Sequence, residues 1–411
     1  MAKINDRKII VGLDIGTSSV IALIGEISPE NQLSIIGVGN CPSLGMGRGG
    51  VNDLDSIVRC VKKAVREAEL MADCTVTSVY LGISGRHIKC QNEKGMVPIN
   101  GEEVTQDDVD NVVHTAKAIP LSDEKRMLHV LPQEYSIDCQ DGIKAPIGMN
   151  GMRMEAKVHL ITCANDMARN IEKVVELCNL KVDGLIFSGV ASGDAILTQD
   201  EKDLGVCVVD MGGGTMDITV YAGGSIRHSA VIAVAGTQVT SDISKMFCTP
   251  LVNAEEMKVQ HACAQSKLVS IQDTIEVASV GGRPARTMAR HTLSEVVEPR
   301  YQELFTLVND ELKSSGWGDL IVAGVVLTGG TAKMEGAVEL AEQVFQMPVR
   351  LGQPKEKGLH DYVSDPCYST AVGLLRSGMD DERVNSREKG SKGKVVTTLL
   401  GRLFGMVRSE F

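Results

Sequence analysis

The stretch VCVVDMGGGT, residues 206–215, places an apolar run directly before an acidic, glycine-rich turn. A second apolar run, ITVY at 218–221, follows the turn, so the pattern predicts two β-strands joined as a hairpin. Glycine lets the backbone of such a turn come close to a ligand, and its exposed N–H groups form an anion-binding concavity. The stretch therefore predicts a turn that binds phosphate.

The same arrangement occurs once in each half of the chain. In the first half, VGLDIGT at 11–17 runs into VIALI at 20–24, and a duplicated unit implies two related lobes that face one another across a cleft. A third glycine turn, VVLTGGT at 325–331, lacks a carboxylate and precedes a helical pattern at 333–345. Its bare backbone suits the adenosine end of a nucleotide, whereas the two acidic turns suit the phosphates.

The acidic turns carry the candidate phosphate and metal ligands. Hydroxyl groups there can donate to phosphate oxygens, but Asp14 and Asp210 would repel the anion, which indicates a Mg²⁺ ion held through water. One such turn alone is usually a plain turn, whereas three in this order predict nucleotide binding, and no Walker pattern offers a P-loop instead. The predicted contact residues are Asp14, Gly16, Thr17, Ser18, Asp210, Gly212, Gly213, Gly214, Thr215, Gly329, Gly330 and Thr331.

Together the three turns resemble the phosphate 1, phosphate 2 and adenosine motifs of the actin, chaperone and sugar-kinase ATPase superfamily. The resemblance implies a two-lobed α/β fold with ATP and Mg²⁺ in its cleft. It also adds Gly236 to the expected nucleotide contacts. Residues 191–195 and 369–374 resemble the two helices that connect the lobes, although each is equally typical of an ordinary core helix.

Longer stretches narrow the resemblance to one family. VGLDIGT at 11–17, GGVND at 49–53, HLIT at 159–162 and the residues 206–217 are similar to the FtsA family of actin-like bacterial division proteins. An insertion between Gly85 and Val158 sits where that family carries its distinctive subdomain. The resemblance implies a protein that self-associates into filaments, binds the C-terminal peptide of FtsZ and recruits later division proteins through the insertion.

We divide the chain accordingly, with an acidic-start helix at 105–117 marking the insertion and a polar, aperiodic stretch after Arg376 marking a linker. The expected parts are the first lobe (1–84 and 159–195), the inserted SHS2-like subdomain (85–158), the second lobe (196–230 and 311–376), its FtsZ-binding subdomain (231–310), a flexible linker (377–393) and a membrane-targeting amphipathic helix (394–411).

The C-terminal segment is amphipathic when projected at 3.6 residues per turn. Its apolar half and its basic residues predict binding to an anionic membrane surface, with a helix docked on its own protein as the alternative. By resemblance this places the protein at the cytoplasmic face of the inner membrane, peripherally, at the division site. The expected membrane contacts are Val395, Leu399, Leu400, Leu403, Phe404, Met406, Val407, Arg402 and Arg408.

Composition excludes several other classes of protein. The formal net charge of −11 argues against nucleic acid as a partner of the body. Eleven scattered cysteines without a C-x-x-C pair favour a reducing compartment over a disulfide framework or a zinc site. The start lacks the apolar region of a secretory signal, and no apolar run approaches the roughly 20 residues of a membrane span.

Partner contacts are expected in the loop 280–286 and the helix after it, which by resemblance lie in the subdomain that receives the FtsZ peptide. Arg283, Arg286, Arg290 and Arg300 would pair with an acidic peptide, and a solvated basic surface is the alternative. Glu298 and Arg300 are also candidates for contact with the ribose or base. His159, within an apolar run, is expected to be a hydrogen-bonded core residue rather than a catalyst.

Hydrolysis would need a polar side chain that positions water, and Asn165 and Asn170 are the only candidates that the sequence suggests. The weakness of this signal favours a scaffold and membrane tether with at most weak ATPase activity. A metabolite kinase of the same superfamily remains the alternative, but it leaves the amphipathic tail unexplained. A chaperone is excluded because too few residues follow Arg376 to form a substrate-binding domain.

Overall fold

The first lobe opens with an antiparallel meander of three strands that carries the first acidic turn. We describe a computed structural model, which covers residues 8–281 and 283–390. The strands form because apolar residues dominate them, and the middle strand is almost entirely buried. The elements before the insertion are β1 (Lys8–Ile15), β2 (Ser19–Ile27), β3 (Leu33–Pro42), β4 (Met46–Gly47), β5 (Gly50–Val51), α1 (Leu54–Ala72) and β6 (Ser78–Ile83).

An antiparallel sheet with its own hydrophobic core forms the insertion. Its helix begins at a capping box, in which Thr105 and Asp108 satisfy each other's backbone N–H groups. The predicted helix at 105–117 is therefore confirmed. The elements are β7 (Lys89–Pro98), α2 (Gln106–Lys117), β8 (Lys125–Ile137), β9 (Gln140–Ile143) and β10 (Arg153–Ala164), in the sheet order β7-β10-β8-β9.

The chain then returns to the first lobe and completes its sheet. Three elements do this, namely α3 (Asn165–Glu176), β11 (Lys181–Phe187) and α4 (Ser188–Ile196). β10 is continuous through residue 164, so the expected boundary at 158 falls inside a strand. β10 pairs with insertion strands as far as Ala164, while Ile161 and Cys163 near its end pack in the core of the first lobe.

The second lobe repeats the acidic hairpin at the centre of a five-stranded sheet. Every residue of its first two strands is buried, which explains their unbroken apolar runs. The elements are α5 (Gln199–Leu204), β12 (Val206–Met211), β13 (Met216–Ala222), β14 (Ser225–Ile232), α6 (Gly236–Phe247), α7 (Leu251–His261), β15 (Thr274–Val277), β16 (Arg286–Ala289), α8 (Arg290–Ser315), β17 (Val325–Thr328), α9 (Ala337–Phe345) and β18 (Val349–Leu351), with the sheet order β14-β13-β12-β17-β18.

The helix after the adenosine turn begins later than predicted. A 3-10 helix spans Gly330–Lys333, and α9 begins only at Ala337. The expected boundary at 310 also falls inside an element, because α8 runs on to Ser315.

The final segment crosses back to the first lobe. It comprises β19 (Lys357–Gly358), α10 (His360–Val363) and α11 (Ser369–Gly390). β19 joins the first sheet, whose order is β11-β6-β1-β2-β3-β19.

The predicted flexible linker from residue 377 is wrong up to residue 390, because α11 continues through it. Gly378 packs against Ile10 and Tyr80, and the Arg383 guanidinium donates to the carbonyl of Asn31 at 3.2 Å. Residues 377–383 are buried or half-buried, so this polar stretch is helical and packed rather than unstructured. The expected amphipathic helix at 394–411 lies outside the described residues.

The two predicted connecting helices, α4 and α11, pack directly on each other. A side chain at Gly373 of α11 would overlap the carbonyl of Ala191 in α4. The absence of a Cβ atom therefore lets the two backbones touch at the junction between the lobes.

The inserted subdomain also docks on the second lobe. β14 is an edge strand of the second sheet, and insertion side chains bind its free carbonyls. The amide of Asn92 donates to the carbonyl of Arg227 at 2.9 Å, and the amide of Gln133 donates to that of Ile226 at 2.7 Å. The insertion therefore covers an edge that would otherwise be free to pair, and it bridges the two lobes.

Candidate nucleotide-binding cleft

A cavity of about 480 Å³ lies between the lobes, within the range of about 300–1,000 Å³ usual for small-molecule sites. Every residue predicted from the three turns lines it. The turns come from β1–β2, β12–β13 and the end of β17, so the two sheets bring together segments more than 300 residues apart in the chain.

The two acidic turns share one backbone geometry. The N–H of Gly16 donates to the carbonyl of Ser19, and the N–H of Gly212 donates to that of Thr215, each at 2.9 Å. The repeat seen in the sequence is therefore a repeat of conformation.

The turns approach each other so closely that side chains are excluded. A Cβ atom on Gly213 would overlap the Ser18 hydroxyl, and one on Gly214 would overlap the Thr17 hydroxyl. Backbone N–H groups and hydroxyls therefore face the same narrow space from both lobes, which is the donor set that phosphate oxygens require.

Asp210 is fixed by the connecting helices. Its carboxylate accepts hydrogen bonds from Ser192 of α4 and from Thr370 of α11, the latter at 3.0 Å. Burial raises the pKa of Asp210, and these two hydroxyls partly oppose that effect. Any shift of the connecting helices would therefore move a carboxylate at the phosphate end of the cleft.

A second carboxylate faces Asp210 from the first lobe. Burial, with a smaller contribution from the charge of Asp210, raises the pKa of Asp14 to about 7. A divalent cation would offset this repulsion, so the pair fits the predicted Mg²⁺ held through water. Within the described residues no cluster of three or more His, Cys, Asp or Glu side chains is placed to hold a metal alone, and the Mg²⁺ site stays a prediction.

A third carboxylate, Asp217, was missed by the sequence reasoning. It lies directly opposite Asp210 in the β12–β13 register and lines the cleft. Ser84, from the end of β6 in the first lobe, donates a hydrogen bond to it across the cleft. Burial, and then the charge of Asp210, holds the pKa of Asp217 well above its usual value. The signal was present, because residues flanking a tight hairpin turn face one another.

The adenosine turn requires glycine. Gly329 has φ +85°, and a Cβ atom there would overlap Asp210, because Thr328 is paired with Asp210 between parallel strands. The hydroxyl of Thr331 donates to the carbonyl of Gly212 at 2.8 Å. The third turn is thus hydrogen-bonded to the second phosphate turn.

A charged pair on α7, which the sequence reasoning did not single out, also lines the cleft. Lys258 donates to Glu255 at 2.7 Å, to the hydroxyl of Thr240 at 2.9 Å and to the carbonyl of Gly236 at 3.2 Å. With its three protons engaged, the ammonium group holds the Glu255 carboxylate in place at the cleft, where it can accept from ribose hydroxyls. The spacing of an acid and a lysine three residues apart on one helix was the available signal.

Gly236 was expected to contact the nucleotide, but it lies outside the cleft lining and is hydrogen-bonded to the second phosphate turn. Its N–H donates to the carbonyl of Gly212 at 3.2 Å. The next residue, Thr237, donates similarly to Gly213 at 2.8 Å. The start of α6 therefore braces the second phosphate turn.

The two expected ribose contacts on α8 do not line the cleft. Glu298 accepts from the N–H of Ser266 at 2.8 Å, and Arg300 pairs with Asp242 at 2.5 Å. Both side chains are engaged within the second lobe, whereas Glu255 and Lys258 of α7 do line the cleft.

The two expected water-positioning residues also lie outside the cleft lining. The amide of Asn165 donates to the carbonyl of Asp123 at 2.9 Å. Both Asn165 and Asn170 belong to α3, whereas Ser84, which the sequence reasoning did not single out, does line the cleft from the first lobe.

The predicted partner arginines separate into two groups. Arg283 and Arg286 are exposed near the α6–α7 junction, whereas Arg290 lines the cleft and donates to the carbonyl of His261 at 2.6 Å and to Glu335. Arg300 is paired internally. Arg283 and Arg286 are the exposed members of the set, and one guanidinium nitrogen of Arg286 already donates to the carbonyl of Phe247 at 2.6 Å, which leaves its other donors for an external peptide.

Comparison with known proteins decides the family. A family profile described as "Cell division protein FtsA" matches residues 207–373, and one described as "SHS2 domain inserted in FTSA" matches residues 85–162. The chain is 55% identical over 424 residues to "Cell division protein FtsA" of Escherichia coli (strain K12), with 100% of both chains covered. It is 52% identical over 383 residues to that of Pseudomonas aeruginosa, with 93% of this chain and 92% of the relative covered.

The chain belongs to the FtsA family.

Membership in the FtsA family makes it a cell division protein, and the metabolite-kinase alternative is no longer needed. The prediction of a distinctive insertion is confirmed, since the SHS2 profile begins at the expected residue, 85, and ends four residues beyond the expected boundary. Within residues 8–281 and 283–390 no helix has the length and apolarity to cross a membrane.

Solved structures share the fold of this FtsA-family chain. The "PilM-PilN type IV pilus biogenesis complex" matches with a TM-score of 0.64 at 15% identity, covering 90% of this chain and 98% of that one. MreB5 of Spiroplasma citri bound to ADP matches with a TM-score of 0.55 at 14% identity, covering 93% and 99%. The predicted actin-like two-lobed fold is confirmed.

Proposed function

We propose that this FtsA-family protein binds ATP with Mg²⁺ in the cleft and tethers FtsZ polymers to the cytoplasmic face of the inner membrane. The observation that carries the nucleotide part is the pair of matching phosphate turns, held so close that only glycine fits at Gly213 and Gly214. The MreB5 relative of the same fold is described as bound to ADP in one structure and to AMPPNP in another, which supports an adenine nucleotide.

The α6–α7 junction is the surface that best fits the FtsZ peptide. Exposed apolar side chains lie there, and Val280 is held beside them by its N–H bond to the carbonyl of Cys248 at 3.2 Å. Arg283 and Arg286 flank this patch and would pair with acidic residues of the peptide. The exposed apolar residues are Met246, Leu251, Val252 and Val280.

Membrane attachment is assigned to residues 394–411. Their apolar half would enter the lipid interface, and from Arg383 onward seven basic residues outnumber two acidic ones, so this end is attracted to anionic lipid while the body is acidic. Self-association into filaments would bring several weakly binding tails to one membrane and so raise the apparent affinity of the filament for lipid. The inserted subdomain would serve the later division proteins.

Co-sedimentation with anionic liposomes in the presence of ATP and FtsZ tests the tether. Because α11 packs on the first lobe past residue 376, the truncation is placed after Gly390. We expect the full chain to pellet with the liposomes and carry FtsZ down, and the truncated chain and its FtsZ to stay in the supernatant.

Two full-chain double variants, both with unchanged net charge, test whether apolar insertion is needed for membrane binding. Leu399→Gln/Leu403→Gln removes apolar groups from the predicted membrane face, and Thr397→Gln/Thr398→Gln places two glutamines on the polar face. The first double variant should no longer pellet, and the second should pellet like the unmodified chain. Equal pelleting of all four proteins, or none by the unmodified chain, would contradict the tether.

A further inference from the structure

A short hairpin of the first lobe reaches the second phosphate turn. β4 and β5 are joined by Arg48 and Gly49, both with positive φ, at +51° and +80°. A positive φ is uncommon for arginine and is kept only where the surroundings hold it. Here the carbonyl of Gly45 accepts the N–H groups of Asn52 at 2.7 Å and of Asp53 at 3.0 Å, which closes the base of the hairpin.

The turn of this hairpin is wedged between the lobes. A Cβ atom on Gly214 would lie 3.0 Å from the backbone nitrogen of Arg48, and one on Gly49 would lie 2.5 Å from the carbonyl oxygen of Ser84. Met46 and Gly49 both line the cleft. The Arg48 backbone therefore lies against the second phosphate turn.

Arg48 itself is not among the residues that line the cleft, but the cations that do line it are already paired. In the described part of the chain, the cations that line the cleft are Lys258, Arg290 and Lys333, and each is paired with a carboxylate. The phosphate end carries the carboxylates of Asp14, Asp210 and Asp217 instead.

Arg48 is exposed, and its guanidinium has no hydrogen bond or ion pair with any described residue. It is thus a free cation held by a fixed turn beside the place where phosphates are expected.

We propose that Arg48 contacts the terminal phosphate of bound ATP and lets the cleft distinguish ATP from ADP. The inference rests on the proposed nucleotide binding. A nucleotide with its nucleoside at α7 and the adenosine turn extends its phosphates toward Gly214 and Ser84, so the terminal phosphate is the group nearest the hairpin. The planar guanidinium presents two parallel N–H donors that match phosphate oxygens.

The contact also gives the hairpin a conformational role. Because Arg48 belongs to the first lobe and its backbone touches Gly214 of the second, a terminal phosphate held there joins both lobes. ADP lacks that group and leaves the arginine free. The contact between the lobes at the hairpin would thus depend on whether the bound nucleotide has a third phosphate.

Equilibrium binding of Mg-ATP and Mg-ADP to the full chain tests the inference. Arg48→Gly removes the guanidinium and suits the positive φ, so it should weaken ATP binding at least tenfold and change ADP binding less than twofold. Arg48→Lys keeps the positive charge but not the two parallel N–H donors, so its ATP affinity should lie between those of Arg48→Gly and the unmodified chain. Thermal unfolding without nucleotide checks that each variant is folded.

Arg86, another exposed arginine near the hairpin, supplies the control. It follows Ser84 and Gly85, and Arg86→Ala should leave both affinities within twofold of the unmodified chain. Equal loss of ATP and ADP affinity in Arg48→Gly, no loss of either, or an ATP-selective loss in Arg86→Ala alone would overturn the inference. If the unmodified chain binds neither nucleotide, the proposed function itself fails.

Discussion

Two histidines at the junction of the insertion and the lobes are held in the neutral form, and of these His159 is buried and His129 is half-buried. The ring of His159 lies 2.7 Å from the Asn92 amide oxygen and 3.1 Å from the Ser229 hydroxyl, and Nε2 of His129 accepts the N–H of Phe187 at 2.9 Å. Burial lowers the pKa of His159 to about 3 and that of His129 to about 4. The prediction that His159 is a hydrogen-bonded core residue is confirmed.

These shifted pKa values make stability depend on pH with a definite sign. Below about pH 6.5 an exposed imidazole in the unfolded chain takes up a proton, whereas His129 stays neutral in the folded chain down to about pH 4. The unfolded state then binds the extra proton, so each such histidine lowers the free energy of unfolding by about 1.4 kcal/mol per pH unit. Urea unfolding at pH 7.5, 6.0 and 5.0 should show His129→Gln losing less stability over this range than the unmodified chain.

His114 provides the comparison for this experiment, because it is exposed on α2. His114→Gln should follow the pH dependence of the unmodified chain. A His129→Gln profile with the same slope as the unmodified chain would show that His129 titrates alike in the folded and unfolded states.

At the scale of elements, the contact between α4 and α11 sets the junction of the lobes. A Cβ atom on Gly373 would overlap the Ala191 carbonyl, which belongs to a rigid helix backbone and cannot move alone. Gly373→Ala should therefore lower the free energy of unfolding by about 1–3 kcal/mol, the usual cost of overpacking. Urea unfolding at neutral pH measures the difference.

The matched substitution is Gly318→Ala, since a Cβ atom there would meet nothing closer than Leu312, at 3.7 Å. It should change stability by less than about 0.5 kcal/mol. Equal effects of the two substitutions would mean that α4 and α11 adjust freely to an added methyl group.

The same scale explains what the sequence could predict. Both acidic hairpins were predictable because a strand, a glycine turn and a strand are local signals that leave little choice of conformation. The continuation of α11 beyond Arg376 could not be predicted. Gly378 contacts Ile10 and Tyr80 in the first lobe, but a glycine leaves no apolar pattern in the sequence that would reveal this contact. Glu255 and Lys258 were missed because their role depends on where α7 packs, which is a property of the tertiary structure.

For the whole molecule, several described contacts join the lobes. They include the connecting helices, the contacts of the Ser84 hydroxyl with Asp217 and with Thr215, the latter at 3.2 Å, the approach of the Arg48 backbone to Gly214 and the docking of the insertion on β14. Two of these contacts, at Thr215 and Gly214, reach the second phosphate turn. A nucleotide between the two turns would add a further connection, and its loss should be visible as a loss of ligand-dependent stability.

Gly213→Ala tests that connection, because the added methyl group would overlap Ser18 and hold the turns apart. A ligand present at 100 times its dissociation constant raises the free energy of unfolding by about 2.7 kcal/mol. We expect the unmodified chain and Gly318→Ala to gain this stability with Mg-ATP, and Gly213→Ala to gain less than about 0.4 kcal/mol at the same ATP concentration, which corresponds to at least a hundredfold weaker binding. Urea unfolding with and without Mg-ATP measures all three proteins. A full gain by Gly213→Ala would mean that the nucleotide does not lie between the two turns, whereas a gain that Gly213→Ala alone lacks would place the phosphates there.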